Sequence, residues 1–324
     1  MAEPTIVLSP SLDPDVLEIG RRMLPAGFDL RVVSPSDLPE ATLEADYLMG
    51  FVGRIEDRTF LEAQRLKLVQ LMSVGYDNFN LDGARRARVP VAVNGGANAI
   101  AVAEHAIMLM LSALRHLTEI DASMRAGEWR GGPALGVRLY EIWSSTVGIV
   151  GMGRIGQEVA RRLQNWEAKL VYFDPYRLSP ERERELGVAF LPLEELLGVA
   201  DVVTVHVPLN EQTRHLIDAR ALARMKPTAV LVNTARGGLV DETALVEALR
   251  SGQIGGAGLD VFNREPTPPD NPLLQIPNTV LTPHLAGPTW QSWPRRFENC
   301  YANIARVQRG EKPEWVVPEL ADLV

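Results

Sequence analysis

The chain has 324 residues, 46% of them hydrophobic and 23% charged, with a formal net charge of −8. This is the balance of a globular protein long enough for two domains; it excludes a largely disordered chain and argues against nucleic acid as the main partner. A single cysteine, Cys300, excludes an intrachain disulfide and a cysteine-built zinc site.

No apolar segment reaches the roughly 20 residues that a membrane helix requires. The most apolar helical candidate, Ala106–Leu114, is bounded by Glu104, His105 and Arg115. We therefore expect a cytoplasmic protein without a membrane partner.

The first hundred residues alternate short apolar runs with amphipathic segments, which predicts strands and surface helices in turn. Strands are expected at Thr5–Leu8, Leu30–Val33, Tyr47–Phe51, Leu68–Met72 and Val91–Val93. Helices are expected at Pro14–Leu24, Asp57–Arg65 and Leu81–Arg88. Such alternation predicts a mainly parallel sheet with helices on both faces.

A long helical pattern follows, from Ile100 to about Arg125, and we expect Asn98 to cap it because its side-chain oxygen can accept from a free amide. A break rich in glycine and proline, Gly127–Gly136, leads to a second α/β series. Its strands are expected at Val147–Val150, Leu170–Phe173, Val202–Val205, Ala229–Val232, Ala257–Leu259 and Val280–Leu281. A helical pattern at about Gln291–Arg309 closes the chain.

The run GIVGMGRIG contains a dinucleotide fingerprint, with Gly151, Gly153 and Gly156 directly after a predicted strand. These glycines would form the tight turn, admit a pyrophosphate and let the next helix pack closely. Asp174 ends the following strand, where a carboxylate would bind the ribose hydroxyls and repel a 2′-phosphate. NAD is therefore favoured over NADP, although Arg177 lies near enough to weaken that preference. The alternative is that the glycines serve packing and Asp174 caps the strand.

Three residue types follow the fingerprint in order: Arg236 in NTARGGLVDE, Glu265 in GLDVFNREP and His284 in TPHLAG. A guanidinium binds a carboxylate, an imidazole moves a proton near neutral pH, and a carboxylate holds the imidazole. Each residue taken alone has a structural interpretation. His206 is the rival proton carrier because it also ends a strand. The remaining histidines are expected to pack or lie at the surface on helical patterns: His105, His116 and His215.

These motifs together resemble the D-isomer-specific 2-hydroxyacid dehydrogenase family over nearly the whole chain. The matching stretches are SVGYDN, NAIAVAEH, TVGIVGMGRIG, HVPLNEQTRHLI, NTARGGLVDE, GLDVFNREP and TPHLAG. The resemblance implies two Rossmann-like or flavodoxin-like parallel-sheet α/β domains with the active site in the cleft between them. Residues 1–98 plus 291–324 would form the substrate domain, and 99–290 the NAD-binding domain.

The resemblance also implies residue roles. Arg236 would bind the substrate carboxylate, His284 would be the proton donor or acceptor, and Glu265 would orient it, with no metal. Further substrate contacts are expected from Ser73, Val74, Gly75 and Asn98. Further cofactor contacts are expected from Val102, Arg154, Ile155, Pro208, Thr213, Thr234, Ala235 and Asp260. The implied substrate is a short 2-hydroxy or 2-keto acid such as glyoxylate or hydroxypyruvate. A homodimer is also implied, because relatives use the region of Trp129, in AGEWRGG, to embrace a second subunit.

Three questions stay open at this point. NAIAVAEH also resembles formate dehydrogenases, but those carry Gln where this chain has Glu265. An NAD(H)-sensing protein of the corepressor type would share the fold and the three site residues. Trp290 and Trp293, which follow TPHLAG, would either wall the substrate side or the domain hinge, or pack in a core or dimer contact.

Overall fold

In a computed structural model of the chain, residues 3–129 and 136–324 are described. The glycine- and proline-rich break and the arm AGEWRGG therefore lie partly outside the described residues. The chain divides into two compact units, Met1–Asn98 with Pro288–Val324 and Ala99–Gly287. Each unit has its own parallel sheet.

The sheet of the first unit has five strands within the described residues, all parallel, in the order β2-β1-β3-β4-β5. The strands are β1 Thr5–Ser9, β2 Asp29–Val32, β3 Tyr47–Gly50, β4 Leu68–Leu71 and β5 Val91–Ala92. Its helices are α1 Pro14–Arg22, α2 Leu38–Glu44, α3 Asp57–Glu62, α4 Leu81–Arg86 and α12 Ser292–Gln308. This is the flavodoxin-like order, in which ligands bind beyond the carboxyl ends of the strands.

The strands of this sheet are buried on both faces because helices cover both. Successive side chains point to opposite faces. Ile6 and Leu8 therefore belong to the core under α12, with Phe297, while Val7 belongs to the core on the other face. Phe297 packs so closely that a Cβ atom at Gly20 would lie 2.6 Å from its ring.

The sheet of the second unit has seven parallel strands within the described residues, in the order β12-β11-β10-β9-β6-β7-β8. The strands are β6 Thr146–Val150, β7 Lys169–Phe173, β8 Val188–Phe190, β9 Val202–Val205, β10 Val230–Asn233, β11 Gly256–Leu259 and β12 Thr279–Leu281. The helices are α5 Ala99–Leu114, α6 Leu117–Arg125, α7 Arg154–Leu163, α8 Pro180–Leu186, α9 Leu193–Val199, α10 Ala219–Arg224 and α11 Glu242–Arg250. The order reverses between β6 and β9, the crevice where Rossmann folds bind dinucleotides.

Several local predictions are wrong. The single helix predicted from Ile100 to about Arg125 is two helices, separated at His116, which has a φ of 49°. Asn98 does not act as the predicted cap, because its buried Oδ1 has no hydrogen-bond partner among the described residues. His215 lies in an irregular loop with a φ of 53° rather than on a helix. The sequence prediction missed the short elements α2 and β8 and gave no bounds for the helices α8 to α11.

Among the described residues, no single helix is long and apolar enough to cross a membrane. Only α5 and α6 taken together pass a test of length and composition, and they are bent by 65° at their break.

Candidate active site

The turn after β6 is built around two glycines that no other residue could replace without displacing neighbouring backbone atoms. Gly151 has a φ of 99°, and a Cβ atom there would lie 2.8 Å from the His206 carbonyl carbon. A Cβ atom at Gly156 would lie 2.1 Å from the Gly151 oxygen, which fixes α7 against the turn. Gly153, the N-cap of α7, has open space where a Cβ would be. A pyrophosphate can therefore approach the backbone and the first amides of α7.

Asp174 follows β7 directly and turns its carboxylate towards this loop. Oδ2 accepts a hydrogen bond from the Met152 amide at 2.7 Å, and Oδ1 accepts one from the Tyr176 amide at 2.8 Å. The carboxylate therefore stands beside the glycine turn, where it suits a ribose diol. Arg177 is held elsewhere: its Nε donates to Glu183 at 2.8 Å and its guanidinium stacks on Phe190 at 5.1 Å. In this structure the Arg177 guanidinium is thus paired with an acid rather than directed at Asp174.

The other predicted cofactor residues lie mainly along the same edge of the sheet. Arg154 and Ile155 are the first residues of α7. Thr213 donates from Oγ1 to the Pro208 oxygen at 2.7 Å, which closes the loop after β9. Thr234 and Ala235 follow β10, and the buried Thr234 hydroxyl has no hydrogen-bond partner among the described residues. An unpaired buried hydroxyl at this edge suits a ligand contact. Val102 is buried on α5.

His284 and Glu265 form a direct pair. The His284 Nδ1 lies 2.6 Å from Glu265 Oε2, and the other carboxylate oxygen accepts from the Phe262 amide at 2.9 Å. The carboxylate is thereby held between the loop backbone and the imidazole, while 49% of the His284 side chain stays exposed. Because Nδ1 is engaged, Nε2 is the nitrogen that can exchange a proton with a ligand.

Arg236 lies in the loop after β10, and β10 is the neighbour of β11, the strand that precedes Glu265. The Asn233 side chain donates to the Arg236 carbonyl at 2.8 Å, and Arg236 Nη1 donates to the Ala235 carbonyl at 2.6 Å. A Cβ atom at Gly237 would lie 2.0 Å from the Phe262 carbonyl carbon. The loop that carries Arg236 therefore packs directly on the loop that carries Glu265.

Asp260 is fully buried and organises the loop that carries His284. Its Oδ1 accepts from the Thr282 hydroxyl at 2.6 Å and from the Leu285 amide at 3.0 Å. Its Oδ2 accepts from the Ala286 amide at 2.9 Å, and its carbonyl accepts from the His284 amide at 2.7 Å. These bonds hold His284 at a φ of 51°, which a residue with a side chain rarely adopts.

His105 and Thr282 extend this network, and the sequence prediction missed both. His105 Nε2 lies 2.9 Å from Thr282 Oγ1. Because the Thr282 hydrogen goes to Asp260, Thr282 accepts from His105. Burial lowers the pKa of His105, although the charge of Asp260 opposes that effect, so a neutral donor ring is favoured. Only the position of His105 in the motif VAEH signalled this contact.

His206 does not have the properties of a proton carrier. Its Nε2 lies 2.9 Å from Thr204 Oγ1, and its Nδ1 is buried with no partner among the described residues. Burial lowers the pKa of His206 to about 3. The ring is therefore neutral at physiological pH.

The remaining predicted substrate residues belong to the first unit. Ser73, Val74 and Gly75 form the turn after β4, where the Ser73 hydroxyl donates to the Gly75 carbonyl at 2.7 Å. Asn98 ends this part of the chain. Trp293 packs edge-to-face on Phe51 at 6.1 Å, as a core residue would.

Trp290 differs from Trp293 in being 58% exposed.

Within the described residues there is no cluster of three or more histidine, cysteine or acidic side chains that could hold a metal ion.

Comparison with known proteins identifies a family over more than half of the chain. A model of the "D-isomer specific 2-hydroxyacid dehydrogenase, NAD binding domain" matches residues 107–286. A glyoxylate reductase of Korarchaeum cryptofilum is 42% identical over 260 residues, covering 80% of this chain and 78% of that protein. A glyoxylate reductase of Pyrococcus furiosus is 38% identical over 311 residues, covering 93% of this chain and 92% of that protein.

Among solved structures, a D-isomer specific 2-hydroxyacid dehydrogenase from Lactobacillus delbrueckii ssp. bulgaricus in its NAD complexed form has a TM-score of 0.83. It is 26% identical, and the match covers 97% of this chain and 100% of that chain.

The doubly wound sheet, its glycine turn and the matching family model together define an NAD-binding oxidoreductase. The chain belongs to the D-isomer-specific 2-hydroxyacid dehydrogenase family. The predicted fold class, family and NAD cofactor are confirmed.

Proposed function

We propose that this protein reduces a short 2-keto acid to the D-2-hydroxy acid with NADH, glyoxylate or hydroxypyruvate being the first candidates. The observation that carries the proposal is the 2.6 Å contact between His284 Nδ1 and Glu265 Oε2 beside the loop of Arg236. An imidazole oriented by a carboxylate is the arrangement that a general acid requires. The names of the glyoxylate reductase relatives favour the same substrate class.

The proposed roles are those that the family resemblance implies, and the contacts of His284, Glu265 and Arg236 support them. Arg236 binds the substrate carboxylate and polarises the C2 oxygen with its planar guanidinium. When bound, NADH supplies the hydride that reduces C2. His284 donates the proton from Nε2 to the C2 oxygen, and Glu265 stabilises the ring while it is charged. One hydride at C2 and one proton at the C2 oxygen convert the keto acid into the hydroxy acid. Further substrate contacts come from Ser73, Val74, Gly75 and Asn98.

For the cofactor, Asp174 binds the ribose hydroxyls of the adenosine, and Gly153, Arg154 and Ile155 approach the pyrophosphate. The other predicted contacts complete the binding site: Val102, Gly151, Gly156, Pro208, Thr213, Thr234, Ala235 and Asp260. NADH is expected to be used in preference to NADPH, because Asp174 stands beside the turn and Arg177 is paired with Glu183.

The test is NADH and NADPH oxidation with a panel of 2-keto acids by the wild type, His284→Ala and Arg236→Ala. Loss of the general acid is expected to lower kcat roughly 10²- to 10⁴-fold. Arg236→Ala should mainly raise KM and also lower kcat. Arg220→Ala, an exposed arginine of α10, is the matched control and should leave turnover unchanged.

Two outcomes would contradict the proposal. Tight NADH binding without turnover on any keto acid would favour an NAD(H) sensor. NAD⁺ reduction with formate, without keto acid reduction, would favour a formate dehydrogenase.

We also propose a homodimer that forms through α6 and the residues after it. No residue of α6 is buried, and three apolar side chains there are exposed: Leu117 53%, Met124 48% and Trp129 85%. An apolar helix face of this kind suits a second copy of the chain. Light scattering after gel filtration should give twice the mass of the 35.7 kDa chain. A monomeric mass at micromolar concentration would refute this.

The cytoplasm stays the expected location.

A further inference from the structure

Arg296 is a charged side chain inside the first unit, near the start of α12. Only 4% of its surface is exposed. Its Nη1 donates to the Met72 carbonyl at 2.5 Å, and its own carbonyl accepts from the Asn94 side chain at 3.0 Å. The guanidinium carbon lies 5.7 Å from the ring of Phe51 and 5.4 Å from that of Trp293. The side chain is therefore held firmly in place.

This buried cation has no counter-ion among the described residues. The titratable groups whose charges act on it are Cys300 and Arg295. Burial raises the pKa of the Cys300 thiol to about 12, so the thiol is neutral, and Arg295 is a like charge. Burial lowers the pKa of Arg296 to about 10, so its guanidinium is still protonated at neutral pH. Buried charges are normally paired, so an unpaired one is suited to binding an anion.

Arg296 also has unused hydrogen-bonding capacity. Its Nε is buried and has no partner among the described residues. A second set of donors lies immediately along the chain from Met72. Within the described residues, the backbone amides of Val74 and Gly75 donate no hydrogen bond, although the Ser73 hydroxyl binds the Gly75 carbonyl. The charge and these amides together are the donor set of an anion site.

The position in the fold agrees with such a site. Met72 and the Ser73–Gly75 turn follow β4, and Phe51 follows β3. Both lie at the carboxyl ends of parallel strands, where open α/β sheets bind ligands.

We propose that the buried guanidinium of Arg296 supplies the positive charge for a carboxylate or phosphate group of the substrate that binds at the Ser73–Gly75 turn. The inference rests on the proposed function in one respect, namely that the anion belongs to a 2-keto acid. The anion is either the C1 carboxylate common to all such acids or a second acidic group at the far end. Arg296 thus selects anionic substrates and takes no part in the proton transfer.

The first test compares Arg296→Gln and Arg296→Lys with Arg306→Gln. Arg306 is a matched control because it lies on the same helix but pairs with Glu314 at 3.4 Å. Loss of a charge-assisted contact is expected to raise KM roughly tenfold to a hundredfold. The change in kcat should be much smaller, and Arg296→Lys should restore part of the affinity.

Two substrates distinguish the source of the anion. If KM rises equally for glyoxylate and for a 2-keto dicarboxylate, the anion is the C1 carboxylate. If KM rises for the dicarboxylate alone, it is the distal group. A KM equal to that of Arg306→Gln with both substrates would overturn the proposal.

A second measurement needs no turnover and uses the protein without NAD at low ionic strength. Oxalate should raise the Tm of the Arg236→Ala protein, and the rise should be smaller once Arg296→Lys is added and absent once Arg296→Gln is added. If no keto acid is reduced but this Tm shift appears, the proposed function fails and the anion site stands. If oxalate has no effect on the Arg236→Ala protein, the anion site is refuted even where Arg296→Gln does not fold.

Discussion

The His206 imidazole shows how burial alone can decide the chemistry of a residue. The sequence makes it a rival to His284, since each follows a strand of the same sheet. His284 meets a carboxylate and is half exposed, whereas His206 meets only the Thr204 hydroxyl and has a buried Nδ1. A proton on His206 would have no counter-charge there, which is the reason for its low pKa.

This burial makes stability dependent on pH. The pKa of His206 is about 3 in the folded protein against 6.5 for an unperturbed histidine. Between these values the unfolded chain binds a proton that the folded chain does not. The free energy of unfolding therefore falls as pH decreases below 6.5, by up to about 1.4 kcal/mol per pH unit for this one group.

We predict that His206→Gln has a shallower loss of stability in acid than the wild type. Gln keeps a side chain that can bind Thr204 but cannot gain a proton. Urea unfolding at steps between pH 8 and pH 4 measures the difference. At pH 8 His206 of the wild type is neutral in both the folded and the unfolded state. The difference in the free energy of unfolding between the two proteins at this pH therefore serves as the reference. Parallel curves across the whole range would disprove the assignment.

At the scale of elements, the two ends of the short strand β12 have different roles: the first closes a turn, and the second supports the loop that carries His284. At its beginning, Thr279 Oγ1 donates to the Ile276 carbonyl at 2.8 Å and closes the preceding turn. At its end, Thr282 connects His105 of α5 to Asp260, which follows β11. The contact between Thr282 and Asp260 helps to hold Asp260, whose hydrogen bonds to backbone amides set the path of the chain at His284.

We predict that Thr282→Val lowers kcat about tenfold or more and also lowers stability. The change removes a donor from the buried Asp260 carboxylate and an acceptor from His105, and an unsatisfied buried group costs about 1–3 kcal/mol. Thr282→Ser retains the hydroxyl and should restore most of kcat. Steady-state NADH oxidation and thermal unfolding measure the two effects.

Thr279→Val is the matched control for this prediction. It removes a buried hydroxyl from the other end of the same strand, so it should lower Tm without changing kcat. If both variants change kcat equally, Thr282 has only a structural role.

Elements with strong local signals were predictable, and short or interrupted ones were not. The strand β9 and the start of α7 agree with the sequence prediction, because continuous apolar runs and a glycine turn determine them locally. The strand β8 has only three residues and no periodicity to detect. The break at His116 is invisible to helical periodicity, since its left-handed φ depends on how α5 and α6 pack.

At the scale of the whole molecule, alternation of strands and helices was enough to predict two parallel-sheet α/β units, because a parallel connection needs a crossover helix. The strand orders were not predicted residue by residue. They follow from which buried faces pair, and the reversal between β6 and β9 places the glycine turn at the dinucleotide crevice.

The sequence by itself determined the family and the NAD fingerprint, and it predicted Arg236, Glu265 and His284 as site residues. The family and the fingerprint depend on short motifs, in which residue types and their spacing can be read directly. The pairing of His284 with Glu265 was already predicted, and the structure has this contact. Only the tertiary structure decided that His206 is buried and neutral and that Arg296 has no counter-ion among the described residues. Hydrogen bonding and charge burial depend on neighbours far along the chain, and no local pattern records which neighbours those are.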